Sequence, residues 1–130
     1  MTGGQLAPTS VLGMYTSSTV NGRKQEHQGF PIRVSEMLAT LDGPAYIERV
    51  SLHNPANIRK ARKAIELAFR VPMAGLGMGF VEVLSMCPIN WKVEPVKAPQ
   101  WMIENMIPQY PLGVYKCLPE VEELKKLVKA

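Results

Sequence analysis

Two stretches carry residues whose types and spacing could do chemistry. The first is Met1-Thr2-Gly3-Gly4-Gln5-Leu6-Ala7-Pro8-Thr9-Ser10. Adjacent glycines let the backbone take positive φ and leave no Cβ in the way of a ligand. Thr2, Gln5, Thr9 and Ser10 surround that bare backbone with hydroxyl and amide groups, and Pro8 stiffens the exit. Exposed N–H groups in such a turn form a nest suited to a phosphate or diphosphate. A Gly-Gly pair is also an ordinary loop signal, and both readings stand. The second stretch is Gly79-Phe80-Val81-Glu82-Val83-Leu84-Ser85-Met86-Cys87-Pro88-Ile89-Asn90-Trp91. A short apolar strand there runs into Cys87, and strand C-termini in open α/β sheets face ligand crevices. Cys87 is either a buried free thiol or a ligand thiolate. Glu82, inside the strand, needs a partner or an edge position.

The elements that must position these stretches are legible in part. Residues 1–31 read as a long irregular loop holding Gly13, Gly22, Gly29, the run Thr16-Ser17-Ser18-Thr19 and an exposed His27. Such a length in a compact domain signals function or disorder. Val34, Met37, Leu38 and Leu41 share a helical face closed by Asp42-Gly43. Residues 46–52 alternate and are rich in β-formers. Asn54 and Pro55 open the clearest helix, with Ile58, Ala61, Ile65, Ala68 and Phe69 as its apolar face and a basic, solvated opposite face. Residues 99–107 read as a short helix. Pro119 opens a last helix, with Glu120, Glu122 and Glu123 early, Lys125, Lys126 and Lys129 late, and Val121, Leu124 and Val128 buried.

The expected fold class is α/β: part of a mostly parallel sheet domain with a Pro-rich C-terminal arm and helix. The division falls at 1–91 and 92–130. The second segment is either an arm wrapping a partner subunit or an ordinary helix on the same domain. Only two strands are convincing, fewer than a stable open sheet holds. The expectation is therefore that upstream strands are missing or that the chain folds only within an assembly; a functional loop at the very start, where loops need a scaffold on both sides, likewise reads as the C-terminal part of a longer subunit.

Composition sets outer limits. The 130 residues suffice for one core, with 46% hydrophobic and 20% charged residues. The net charge of +4 and pI near 9.2 are mildly basic, and the cations are scattered, which argues against nucleic acid. No apolar run approaches the ~20 residues of a membrane span, and the first residues, without a basic stretch followed by an apolar one, do not read as a secretory signal. Cys87 and Cys117 make no disulfide framework, so a cytoplasmic setting is expected, with Cys117 structural.

Met-Thr-Gly-Gly-Gln followed by Ala-Pro-Thr resembles the thiamine-diphosphate loop of the 2-oxoacid:ferredoxin oxidoreductase beta subunits. The segment through Cys87 resembles that family's "VE-L-S-CP-NW", and Tyr110-Pro111-Leu112-Gly113-Val114-Tyr115-Lys116 its "PLGV-K" tail, with Gly29-Phe30-Pro31-Ile32 between, closest to its branched-chain and 2-oxoglutarate forms. The motifs occur in the family's order over most of residues 1–116. The resemblance implies a CoA-dependent oxidative decarboxylation of a 2-oxoacid to acyl-CoA, with electrons passed to ferredoxin. It implies thiamine diphosphate, Mg²⁺ and a 4Fe–4S cluster as cofactors. Alpha-, gamma- and delta-type subunits, ferredoxin, the 2-oxoacid and coenzyme A are the implied partners. Thr2, Gly3, Gly4 and Gln5 would pack around the diphosphate, and Cys87 would be one of four cluster thiolates. Met1 falls where the family has an internal methionine near the reactive carbon. The family's metal-binding Gly-Asp-Gly motif and other cluster cysteines are not in this chain, so the chain by itself is expected to be inactive. One alternative is a non-catalytic fragment acting only as a subunit-interaction module. A remote one is a release-factor-like peptidyl-tRNA hydrolase, which also uses Gly-Gly-Gln.

Overall fold

The structure, a computed structural model, describes residues 2–128, with side chains from 3 to 126. Met1, Lys129 and the side chains of Thr2 and Val128, on which some of the expectations above rest, lie outside the described residues. The chain forms two compact units. One comprises residues up to Arg33 with Met86–Tyr110, and the other Val34–Ser85 with residues from Pro111 onward.

The second unit is α/β, as expected. Its central strand β1 (Pro44–Ser51) pairs in parallel with β2 (Met78–Leu84) and antiparallel with β3 (Gly113–Cys117), giving the order β2-β1-β3. Ile47 lies opposite Phe80, and Tyr46 opposite Cys117. The expectation held two strands. β3 is too short, and too close to prolines, to announce itself by alternation. Every residue of β1 but Glu48 is buried, as a strand covered on both faces requires.

Helix α3 (Pro55–Met73) starts where Asn54 and Pro55 predict. The Asn54 side chain accepts the Asn57 amide at 2.9 Å, satisfying one orphan donor of the first turn. Its buried face, however, is Ala61, Ala64, Leu67 and Val71. Ile58, Ile65 and Phe69, expected to be inside with Ala61 and Ala68, are exposed. The reason is a close approach. A Cβ on Gly79 of β2 would lie 2.3 Å from the Ala68 carbonyl oxygen. At that crossing helix and strand meet through small residues, so Ala61, Ala64, Leu67 and Val71 turn inward and Ile58, Ile65 and Phe69 fall at the rim. Ala45, Tyr46, Leu67, Val71 and Val121 form one core cluster, and Val50, Ala61 and Ala64 another. Val121 belongs to the last helix, α5 (Pro119–Val128), where it and Leu124 pack inward as expected.

A polar centre ties the sheet to helix α2 (Val34–Ala39). Arg49 on β1 is 1% exposed. It donates to Glu82 of β2 at 2.9 Å, to both Glu36 oxygens, to the Pro111 carbonyl at 3.1 Å and to the Tyr115 hydroxyl at 2.6 Å. The Tyr115 ring lies 4.8 Å from the guanidinium. Ser35 donates to Glu82 at 2.6 Å. The acid inside the strand thus has both a partner and an edge position, as the sequence required.

Two predictions follow from this packing. Arg49→Met leaves Glu36 and Glu82 without their guanidinium and is expected to cost about 3–5 kcal/mol in urea denaturation, part of it recovered by adding Glu82→Gln. The second concerns Cys117, whose thiol burial pushes up to about 11, with Glu122 adding to the rise. The fold favours the neutral thiol, so this contribution is whole below the ordinary value of 9.0 and is lost as pH rises through about 11. The melting temperature should fall across that window, and Cys117→Ser should flatten the fall.

Candidate functional site

Among the described residues the first unit has no sheet, and its irregular loop is held by one side chain. Arg23 is 5% exposed, and its guanidinium donates to six carbonyls. Ala7 (3.2 Å), Pro8 (3.0 Å) and Ser10 (2.7 Å) lie on one side of the loop. Gln28 (3.2 Å), Gly29 (3.1 Å) and Phe30 (2.9 Å) lie on the other, at and after the short helix α1 (Gln25–Gln28). A rigid planar fork suits this convergence, which an ammonium could not reproduce. Around it, Gly13 donates to the Arg23 carbonyl and the Arg23 amide to Met14, Ile32 donates to Pro8, and buried Tyr110 donates to the Thr9 carbonyl at 2.7 Å. His27 is exposed on α1, as expected.

The Gly-Gly turn is anchored to the hydroxyl run. Gly3 and Gly4 take φ of 59° and 66°, the left-handed region glycine favours. Ser17 donates its amide to the Gly4 carbonyl and its hydroxyl to the Gly3 carbonyl, both at 2.9 Å. Leu6 donates to the Ser18 hydroxyl at 2.9 Å. Thr16 and Thr19 close the hairpin between them. Gln5 is exposed, and Thr2 is described by its backbone alone.

Cys87 caps the helical turn α4 (Pro88–Trp91) in the same unit. Asn90 joins it to the glycines. Its Nδ2 donates to Cys87 Sγ at 3.1 Å, and its Oδ1 lies 2.4 Å from where a Gly4 Cβ would stand. Hydrogen bonds from the Asn90 backbone and side chain lower the Cys87 thiol below its ordinary value, against a smaller opposing effect of burial. A cavity of about 350 Å³ opens on Gly3, Gly4, Thr16, Ser17, Asn90 and Lys92. A neighbouring cavity of about 530 Å³ is lined by Tyr15, Asn90, Lys92, Trp101 and Asn105, among others. Both are of ligand-pocket size. Lys92 borders both and has φ 55°, the only described non-glycine residue with positive φ. Such strain concentrates at functional sites. Trp91 stacks on Trp101 with ring centroids 4.2 Å apart, which makes it a packing residue.

Of the residues expected in the site, the structure brings Gly3, Gly4 and Cys87 into one unit. Sequence reading missed Arg23 and Lys92, lone cations with no periodicity or motif to mark them. Among the described residues no group of three or more His, Cys, Asp or Glu could hold a metal ion.

Arg23→Lys should loosen the loop selectively. The amides of Ser10, Gly13 and Ile32, bonded within the Arg23 frame, are expected to lose about 2–4 kcal/mol of hydrogen-exchange protection, while β1 amides keep theirs.

Comparison with known proteins agrees with the sequence motifs. The chain is 42% identical over 116 residues to the ketoisovalerate oxidoreductase subunit VorA of Methanothermobacter thermautotrophicus, covering 89% of this chain and 24% of that protein. The same subunit of Methanothermobacter marburgensis is 41% identical over the same shares. The 2-oxoglutarate synthase subunit KorB of Archaeoglobus fulgidus is 30% identical over 105 residues, covering 81% of this chain and 35% of that protein. The chain thus spans about a quarter of the length of the first two and about a third of the last. No family model and no solved structure matches.

Proposed function

Because this chain is homologous to subunits of 2-oxoacid:ferredoxin oxidoreductases, as its motifs implied, we propose that it serves as part of the thiamine-diphosphate-binding beta subunit of such an enzyme. The reaction is CoA-dependent oxidative decarboxylation of a 2-oxoacid, with electrons passed to ferredoxin. The observation that carries this reading is the joining of the Gly-Gly turn to Cys87 through Asn90. The relatives named for ketoisovalerate are more similar in sequence than the one named for 2-oxoglutarate, which favours a branched-chain 2-oxoacid.

Thiamine diphosphate, when bound, supplies the electron sink that decarboxylation requires. The residues beside the Gly3–Gly4 cavity fit its anionic tail. The glycine backbone permits close approach, the Thr16 and Ser17 hydroxyls are polar neighbours, and Lys92 offers a compensating charge. Thr2 and Gln5 flank that turn and complete the proposed cofactor contact. The cluster does not fit this chain alone. One thiolate is available where a cubane takes about four, so Cys87 is one ligand among others supplied elsewhere. Mg²⁺ likewise would take an acidic ligand from the Gly-Asp-Gly motif, which these 130 residues do not contain. Residues 1–91 would correspond to the end of the cofactor domain and 92–130 to a C-terminal arm. The partners are the remaining subunits, ferredoxin, coenzyme A and the 2-oxoacid. No helix among the described residues is long and apolar enough to cross a membrane, and we assign the assembly to the cytoplasm.

Calorimetry with thiamine diphosphate and Mg²⁺ tests this. The chain alone should give no heat at millimolar cofactor, and the assembly with its partner subunits should bind. Micromolar binding by the chain alone would mean that a metal site exists within it, and the proposed division of ligands would fail. An assembly that neither binds the cofactor nor reduces ferredoxin with any 2-oxoacid would overturn the functional reading.

A further inference from the structure

We propose that the open edge of β2, with the apolar groove between that edge and α3, receives a further parallel strand, apolar on its α3 face, from the part of the subunit beyond this segment. The proposal rests on the reading of the chain as part of a larger subunit, and adds the place and direction of the join. The matched segment spans about a quarter of the two ketoisovalerate oxidoreductase subunits, so the relatives carry polypeptide that could supply such a strand.

The two outer strands of the sheet differ. β3 carries the devices that close an edge. It has five residues, Lys116 stands in it, Pro111 and Pro119 flank it, and its pairing with β1 is interrupted between Ile47 and Glu48. β2 carries none of them. Its seven residues include neither lysine nor proline, and its register with β1 runs unbroken from Gly79 to Leu84. Only Glu82 among them is charged, and Arg49 and Ser35 already satisfy it. That near-continuous apolar run is the composition of a parallel strand buried inside a sheet. The backbone is aimed accordingly. The Leu84 carbonyl accepts from the Leu52 amide at 3.1 Å, so Leu84, and with it Glu82 and Phe80, turns its polar groups to β1. Val81 and Val83, of opposite alternation, turn theirs to the open edge. Beside that edge Ile65, Phe69 and Pro72 of α3 line a groove of about 340 Å³ with Gly79 and Val81. Phe69 is 68% exposed there. This overhang would cover one face of an added strand, and main-chain bonds to Val81 and Val83 would hold it.

The experiment is residue-resolved amide hydrogen exchange, quenched and read by NMR, on the free chain and on the chain assembled with the remaining polypeptides of the enzyme. In the free chain the Phe80 and Glu82 amides should exchange slowly and those of Val81 and Val83 fast. In the assembly Val81 and Val83 should slow by about a hundredfold or more, the protection of a buried ladder. Phe69→Lys places a charge in the groove at an exposed position. It should leave the melting temperature of the free chain unchanged and weaken assembly about tenfold or more. Ile58→Lys, exposed on the same helix but outside the groove, should do neither. Should Phe69→Lys alter the melt, the exchange arm decides. The proposal is overturned if Val81 and Val83 exchange equally fast in both states, or if the two lysine variants assemble alike. It is also overturned if the free chain already protects Val81 and Val83; sedimentation as a dimer would then assign the edge to a second copy. A chain that does not join the remaining polypeptides would sink this proposal and the functional reading together. An assembly that shows the protection but binds no thiamine diphosphate would count against the functional reading alone.

Discussion

A single buried guanidinium, Arg23, does for the irregular unit what a hydrogen-bonded sheet does for an ordinary fold. Buried carbonyls need donors, and a loop without regular structure has few to offer. Arg23 supplies them to six carbonyls from two stretches separated in sequence. The segment carrying Ala7, Pro8 and Ser10 is fixed in this way directly behind the glycine turn, and Ser17 and Ser18 hold the turn from the other side. The geometry at Gly3 and Gly4 is thereby held by hydrogen bonds from Ser17 and Ser18 beside the Arg23 frame.

Arg49 is the counterpart in the α/β unit, with a different electrostatic logic. Arg23 satisfies backbone carbonyls, whereas Arg49 meets the carboxylates Glu36 and Glu82 along with a carbonyl and a phenol. A buried ion pair is a weak source of net stability against an apolar replacement, and its loss on one side is costly. Its effect is to pin three strands and α2 to a common register, with Arg49 facing Glu82 along β1 and β2. The close approach of Ala68 to Gly79 complements it, because the helix can settle on the strand only where no side chain intervenes.

The chemistry available to the chain is correspondingly partial. It presents a glycine turn, polar hydroxyls and a lysine in a strained conformation beside two cavities, and one thiol with a lowered pKa bonded to Asn90. The proposed function draws on that set for the edge of a cofactor site and for one cluster ligand. The relatives are several times as long as the matched segment, which agrees with a division of ligands over more polypeptide than is present here.

The sequence by itself determined the α/β class, the start of α3 at Asn54, the need of Glu82 for a partner, and the motifs that tie the chain to its relatives. These follow from local chemistry: capping, periodicity and the cost of burying a charge are properties of a few neighbouring residues. Tertiary structure decided the rest. Which face of α3 is buried depended on Gly79, eleven residues from Ala68 and on another element. β3 exists because β1 offers it an edge, and its own five residues carry too little pattern to show it. The roles of Arg23, Asn90 and Lys92 were hidden for the same reason. An isolated cation or amide in a loop has no period, and its partners, up to sixteen residues away for Arg23 and across the unit from Gly4 for Asn90, are set only when the chain has folded.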